Sequence, residues 1–285
     1  MTMPKGRKVE ALALLDNRSN LYFAVPNNVD NGLVEKIIND NVSGLAKHEI
    51  ERIISRINTA YIGVNTSKKV FSSDSVQVAV DGNIPKKMVH KVLTKNKDWD
   101  IIMCSSSTAK KHPIYTRAII PGSQEYISLS FPSNNVACMG RNIDQMLERY
   151  DTLSLPDFAD QVNNNEDSLA QTDEYFYNYL LEAKDEIRFF ANNPKSFLST
   201  IIGANLDLKI ITVAGSIVKD DKDPEKYKVK FIFKFSNNKY LKAGRALLKL
   251  ALGMSSSEVE DGEDSELIVK NVLINKEQIY KLLSF

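Results

Sequence analysis

The stretch KYKVKFIFKFSNNKYLKAGRALLK, residues 226–249, holds seven lysines and one arginine and no acidic residue. Its first part alternates. Tyr227, Val229, Phe231, Phe233 and Phe235 fall on one side, and Lys228, Lys230, Ile232 and Lys234 on the other. Successive side chains of a strand point to opposite faces, so this pattern makes one apolar face and one basic face. From Tyr240 the period becomes helical, with Tyr240, Gly244, Leu247, Leu248 and Ala251 along one stripe and Lys242, Arg245 and Lys249 along another. The phenylalanines read as core and the lysines as surface. Residues 226–249 thus read as a strand with a basic face feeding a helix with a basic face.

The flanks fit that reading. KDDKDPEK, residues 219–226, is polar enough for a solvated hairpin tip, and Leu208–Val218 before it reads as a strand or a kinked pair of strands around Gly215. After the helix come six acids between Glu258 and Glu266, then a strand over Leu267–Ile274 and a helix from Lys276. Nearer the N-terminus, Val9–Leu15 and Leu21–Val25 are apolar runs joined by turn chemistry at Asp16-Asn-Arg-Ser-Asn, a hairpin unless the first run is a helical turn. Helices are expected over Leu33–Ile38 and Leu45–Ile57, the second capped by Ser43. Strands are expected over Tyr61–Val64, Val76–Val80, Trp99–Cys104 (a buried type), Ile114–Ile120 and Tyr126–Phe131, the last two joined at Pro121-Gly122. A short helix opens at Pro85, with Met88, Val89, Val92 and Leu93 turned inward. From Asn142 the chain turns helical and acidic, and its longest helix is expected from Ser168 to Ala191. A further helix runs from Pro194 to Ile202, stopped by Gly203.

The pattern predicts an α+β protein with antiparallel sheets in the N- and C-terminal halves and a helical acidic middle segment. The implied divisions are an N-terminal α+β domain at 1–135, a helical segment at 136–203, and a hairpin and helix domain at 204–285 packed on that segment.

Of 285 residues, 43% are apolar and 26% charged, the balance of a globular chain with a substantial core. Net charge is +1, but the charge comes in blocks. Eight cations lie between Lys86 and Arg117 against two acids, and twelve acids between Asp144 and Glu186 against two cations. Two cysteines and three histidines provide neither a disulfide framework nor a zinc quartet. No apolar run approaches the roughly 20 residues of a spanning helix, and the start carries no secretory pattern. These features predict a cytoplasmic protein with no membrane, metal or cofactor, in a host cytoplasm if the source is viral.

Motifs of phosphate-loop, dinucleotide, zinc-protease and redox enzymes are missing from the sequence. Ser107–Lys110 and Ser216–Lys219 each match the loose SxxK pattern, and two hits without a KTG partner mark it as noise. Binding is therefore expected rather than catalysis, leaving an enzyme with no local motif as a second alternative. Lysines that track phosphates suit single-stranded nucleic acid, RNA before DNA, bound without sequence preference. The expected contacts are Lys228, Lys230, Lys234, Lys242, Arg245 and Lys249, aided by Lys86, Lys87, Lys91, Lys110, Lys111 and Arg117. Tyr115 stands for stacking, alongside Trp99, Tyr126 or Tyr240. About six phosphate contacts imply a log–log salt slope of roughly −4. Opposite charge blocks also suggest self-association into homo-oligomers, the first alternative being a viral or phage structural protein. The acidic run after the helix offers a further possibility: it can fold over the basic face in cis and compete with the ligand.

Overall fold

The computed structural model describes residues 8–29, 32, 35, 47–65, 76–103, 112–119, 125–155, 174–192, 194–202, 208–252 and 258–283. Its strands are β1 (Leu21–Pro26), β2 (Ile57–Val64), β3 (Val76–Gly82), β4 (Asp100–Met103), β5 (Pro113–Ala118) and β6 (Tyr126–Ser130). They continue with β7 (Val136–Gly140), β8 (Ile187–Asn192), β9 (Ile210–Lys219), β10 (Lys226–Phe235), β11 (Val259–Asp261) and β12 (Glu266–Asn275). All twelve form one antiparallel sheet in the order β11-β12-β10-β9-β8-β1-β2-β3-β7-β6-β5-β4. The α+β class holds, but the two expected sheets are one. β1 pairs with β2 on one side and with β8 on the other, Leu21 to Ala191 through Ala24 to Arg188, which joins the two halves.

Seven α-helices lie among the described residues: α1 (Lys47–Ile54), α2 (Lys86–Leu93), α3 (Asp144–Leu153), α4 (Glu174–Leu181), α5 (Lys195–Ile202), α6 (Asn238–Leu252) and α7 (Lys276–Leu283). The strand alternation sends side chains to two cores. Phe23, Phe189, Phe231, Phe233 and Val269 meet Ile54 of α1, Leu198 of α5, Leu248 of α6 and Ile279 of α7 on one face. Tyr22, Ala24, Phe190 and Ala214 meet Leu12, Met146 of α3 and Leu180 of α4 on the other. At the β4 end, α2 sits over Trp99, Tyr115 and Phe131, and Val80 touches both this cluster and the first core. So α1, α2, α5, α6 and α7 share one face of the sheet.

Two devices keep the C-terminal strands in phase. Asn271, at φ 60°, forms a bulge opposite Val229–Phe231. It re-phases β12 so that Val269 and Val272, three apart, are both buried. Glu266 N–H donates to the Glu263 carbonyl at 2.9 Å across Asp264 and Ser265, both at positive φ. A hairpin turn with that twist is the kind that suits two antiparallel strands.

Several local expectations are corrected. Of the two readings of the first apolar run the helical turn holds, as a buried 3-10 turn at Ala11–Leu14, and the hairpin does not. The long helix to Ala191 stops at Leu181, and Ile187–Asn192 is the strand β8, central in the sheet and feeding a core on each face. β7 lies inside the segment expected to be helical from residue 136, and is a strand. β4 is an exposed end strand, not a buried one, with Ile101, Ile102 and Met103 between 43% and 57% exposed. Met88 and Val92 of α2 point outward. The expected Leu33–Ile38 helix, the Ser43 and Ser168 caps, the Pro121-Gly122 turn and the Gly203 stop fall largely or wholly outside the described residues.

Candidate functional site

The basic stretch folds as its pattern requires. Tyr227, Val229, Phe231, Phe233 and Phe235 are all buried in the first core, and the lysines face the other way. Two of the four lysines on that face are paired within the chain. Lys228 reaches the buried Asp220 at 2.7 Å and Asp221 at 3.6 Å, and Lys226 reaches Asp223 at 3.1 Å. The Lys228 hydrogen bond holds the Asp220 carboxyl below its usual value, and the same contact lifts the Lys228 ammonium above its own. Lys234 lies in register with Glu266. Burial pushes the Glu266 carboxyl up, and Lys234 pulls the other way. Lys230 is exposed.

The helix α6 carries the outward-facing surface. The Asn237 side-chain carbonyl accepts from the N–H groups of Lys239 and Tyr240, which caps its first turn. Gly244 then lets it lie close to the sheet, because a Cβ at this position would run into Cε1 and Cζ of Phe235. With Gly244 and Leu248 facing in, Leu247 and Leu250 face out, 44% and 81% exposed. Lys239 and Lys242 stand exposed on the same helix, and no ion pair engages either among the described residues. Arg245 pairs with Asp261 of β11, and Lys270 with Glu260 at 2.6 Å. One acid of the run, Asp261, therefore reaches the basic helix in cis.

At the opposite end of the same sheet face, α2 repeats the arrangement. Val89 and Leu93 pack inward, Lys86 donates to the Pro132 carbonyl at 3.2 Å, and Met88 and Val92, one turn apart, stand 61% and 53% exposed. Lys87 and Lys91 lie exposed beside them. Each helix is amphipathic in two senses: one apolar stripe meets the sheet, and a second, edged by lysines, meets solvent. Among the described residues no helix is long and apolar enough to cross a membrane, which leaves strands unaddressed.

The remaining sequence candidates do not form one surface. Tyr115 is buried, its hydroxyl 2.5 Å from His90 Nδ1, and cannot stack on a base. Trp99 is buried as well, whereas Tyr126 and Tyr240 are partly exposed. Arg117 and Lys249 are half-buried, and Lys110 and Lys111 lie outside the described residues. The feature missed in the sequence was the pair Met88 and Val92 beside Lys87 and Lys91. A basic amphipathic helix of that kind is as good a signal for a lipid surface as for nucleic acid.

A family model described as "Outer membrane-associated lipoprotein TP0453" matches residues 6–280. Three crystal forms of TP0453 share the fold. Form I superposes with a TM-score of 0.67 at 15% identity over 97% of each chain. Form III gives 0.62 at 15% over 97% of this chain and 98% of that one, and form IV 0.59 at 14% over 98% of both. No curated protein sequence matches. The family match overturns the expected single-stranded RNA or DNA partner, the exclusion of a membrane, the self-assembling viral alternative and the cytoplasmic location. The physical reason is that lysines at helical spacing recognise phosphate, and lipids carry phosphate as nucleic acids do.

Proposed function

The chain belongs to the family of the outer membrane-associated lipoprotein TP0453, and on that premise we propose that it docks on a membrane surface through α2 and α6. The observation that carries the proposal is the repeated outward pair, Met88 with Val92 and Leu247 with Leu250, on one face of the sheet, each on a helix with exposed lysines (Lys87 and Lys91, Lys239 and Lys242) that no ion pair engages among the described residues. In water these side chains leave apolar surface exposed. At the headgroup–acyl boundary that surface is buried, while lysine stems let the ammonium groups reach back to the phosphates.

The magnitudes are adequate for reversible binding. Completing the burial of the four apolar side chains is worth roughly 4–6 kcal/mol gross. Each lysine near an anionic surface adds about 1 kcal/mol, in a salt-dependent way. A single acyl chain alone gives only marginal membrane binding, so a protein surface of this strength supplies the second signal that stable attachment needs. The role is one of binding, with no bond made or broken.

Vesicle flotation tests the reading. Wild-type protein is expected to float with vesicles containing phosphatidylglycerol, and the double variant Val92→Glu, Leu250→Glu to remain below while keeping its melting temperature. If the variant floats as well as wild type, or wild type never floats, α2 and α6 are not the docking surface.

A further inference from the structure

Between the first turns of α6 and the turn joining β11 to β12 lies an open groove of about 430 Å³. Asn238, Lys242 and Arg245 line its helix side at four- and three-residue steps, and Asp261 and Ser265 line the other. The Ser265 hydroxyl donates to Asn238 Oδ1 at 2.8 Å, which leaves the Asn238 amide NH2 as a donor. We propose that this groove seats the phosphate of an anionic lipid headgroup, and that the phosphate exchanges with Asp261 on Arg245. The inference rests on the docking reading above and assigns the headgroup contact within it.

Three observations converge. First, the Arg245 guanidinium already holds an oxyanion, the Asp261 carboxylate, so its fork is aimed at the position that a phosphate oxygen would take. Second, Lys242 lines the same groove with no ion pair among the described residues, so Asp261 offsets only one of the two cations that line it. Third, the Asp261 side chain is 61% exposed and that of Arg245 only 32%. The acid is the solvent-accessible partner and can be displaced, and an exposed pair of this kind holds weakly.

The acidic turn thereby becomes a competitor. Asp261 on Arg245, with Glu263 and Asp264 exposed beside it, repels an anionic surface. Once a phosphate occupies the guanidinium, the carboxylate has no partner there. Docking through α6 is thus tuned by headgroup charge rather than by apolar contact alone.

Affinity for vesicles of pure phosphatidylcholine and of phosphatidylcholine with phosphatidylglycerol, measured for wild type, Asp261→Asn and Lys242→Gln, tests this. Asp261→Asn is expected to bind phosphatidylglycerol vesicles about two- to fivefold more tightly, the scale of an exposed ion pair. Lys242→Gln is expected to bind them about fivefold more weakly, the scale of one lysine at an anionic surface. Both should bind pure phosphatidylcholine as wild type does. Equal binding of all three proteins to phosphatidylglycerol vesicles, with wild type still floating, overturns the headgroup site and leaves the docking surface standing. Failure of wild type to bind either vesicle overturns both. Inorganic phosphate at the same phosphate concentration should leave the melting temperature unchanged. A stabilisation by phosphate that is lost in Arg245→Gln would assign the groove to a free anion and overturn the lipid reading.

Discussion

Replacing Gly244 with alanine sets two effects of known size against each other. In a helix whose glycine faces solvent, alanine gains about 1 kcal/mol, because glycine surrenders more backbone freedom on folding. Gly244 is buried, and a Cβ there overlaps two ring carbons of Phe235, itself 2% exposed within the first core. The ring has little room to retreat, since Phe231 and Phe233 of the same strand are fully buried too. Forcing a methyl into a packed site of this kind costs about 1–3 kcal/mol. The net expectation is a loss of about 1 kcal/mol, or about 2 °C in melting temperature for a protein of this size. Urea unfolding of wild type, Gly244→Ala, Phe235→Leu and the double variant measures it. If the clash is with the ring, Phe235→Leu makes room for the methyl, and the double variant is more stable than the two single changes predict by more than about 0.5 kcal/mol. A Gly244→Ala protein that melts above wild type would refute the close seating of α6 on β10, and with it the account of which α6 residues face outward.

Three further outcomes follow from the buried and paired groups. The Cys138 thiol is fully buried and pushed up to about 12 by burial, so it should resist a thiol-alkylating reagent at neutral pH until the protein is unfolded, as peptide mass mapping would show. The Lys228–Asp220 contact holds Asp220 below its ordinary 3.8 and Lys228 above its ordinary 10.5. Its contribution is therefore complete between those limits, fades as pH falls through the lowered Asp220 value, and fades again as pH rises through the raised Lys228 value. Unfolding curves of wild type and Asp220→Asn should converge at both extremes, and a gap independent of pH would count against the contact. Glu266 has the opposite sign. Its carboxyl is raised above the ordinary 4.5 by burial, so ionising it opposes folding above the raised value and not below the ordinary one. Glu266→Gln should accordingly stabilise the protein at neutral pH, with the gain shrinking toward pH 4.5; no gain at neutral pH would show that Lys234 compensates fully.

How much was legible in the sequence depended on whether an element has two unlike faces. β10 announced itself because its lysines and aromatics alternate, and α6 because its cations repeat at helical steps. β8 did not. Ile187, Phe189 and Ala191 serve one core and Phe190 the other, while Arg188 interrupts the second face, so the strand shows no clean alternation and its Ile187–Phe190 spacing imitates the helix before it. β7, Val136-Ala-Cys-Met-Gly, is short and buried on both faces for the same reason. β4 misled in the opposite direction, because an apolar run suggests burial, whereas its place at the end of the sheet order leaves it exposed. The candidate site was half visible. The cations of α6 and α2 are legible, but Met88 and Val92 read as inward-facing and Leu247 as part of the stripe with Gly244 and Leu248, because periodicity reveals an apolar stripe without telling which edge of it meets the sheet; Leu250 falls on no stripe that the pattern singles out. The partner class was then inferred from charge alone, and charge does not distinguish one polyphosphate surface from another.

The β1–β8 ladder has a consequence for how the chain reaches this fold. Every other pairing from β2 to β12 joins strands that lie in the same half of the sequence. β1, near the N-terminus, must wait for β8, which is made more than half a chain later. Each half can assemble its own hairpins first, and closure of a four-residue ladder between Leu21–Ala24 and Arg188–Ala191 then unites them. Contacts so distant in sequence are slow to form. Until they do, β1 offers an open, apolar edge to any other extended chain, the commonest route by which large sheets aggregate. Folding yield should therefore be set by how quickly this one seam shuts, and least by the two ends of the sheet, over which α2 and α6 lie.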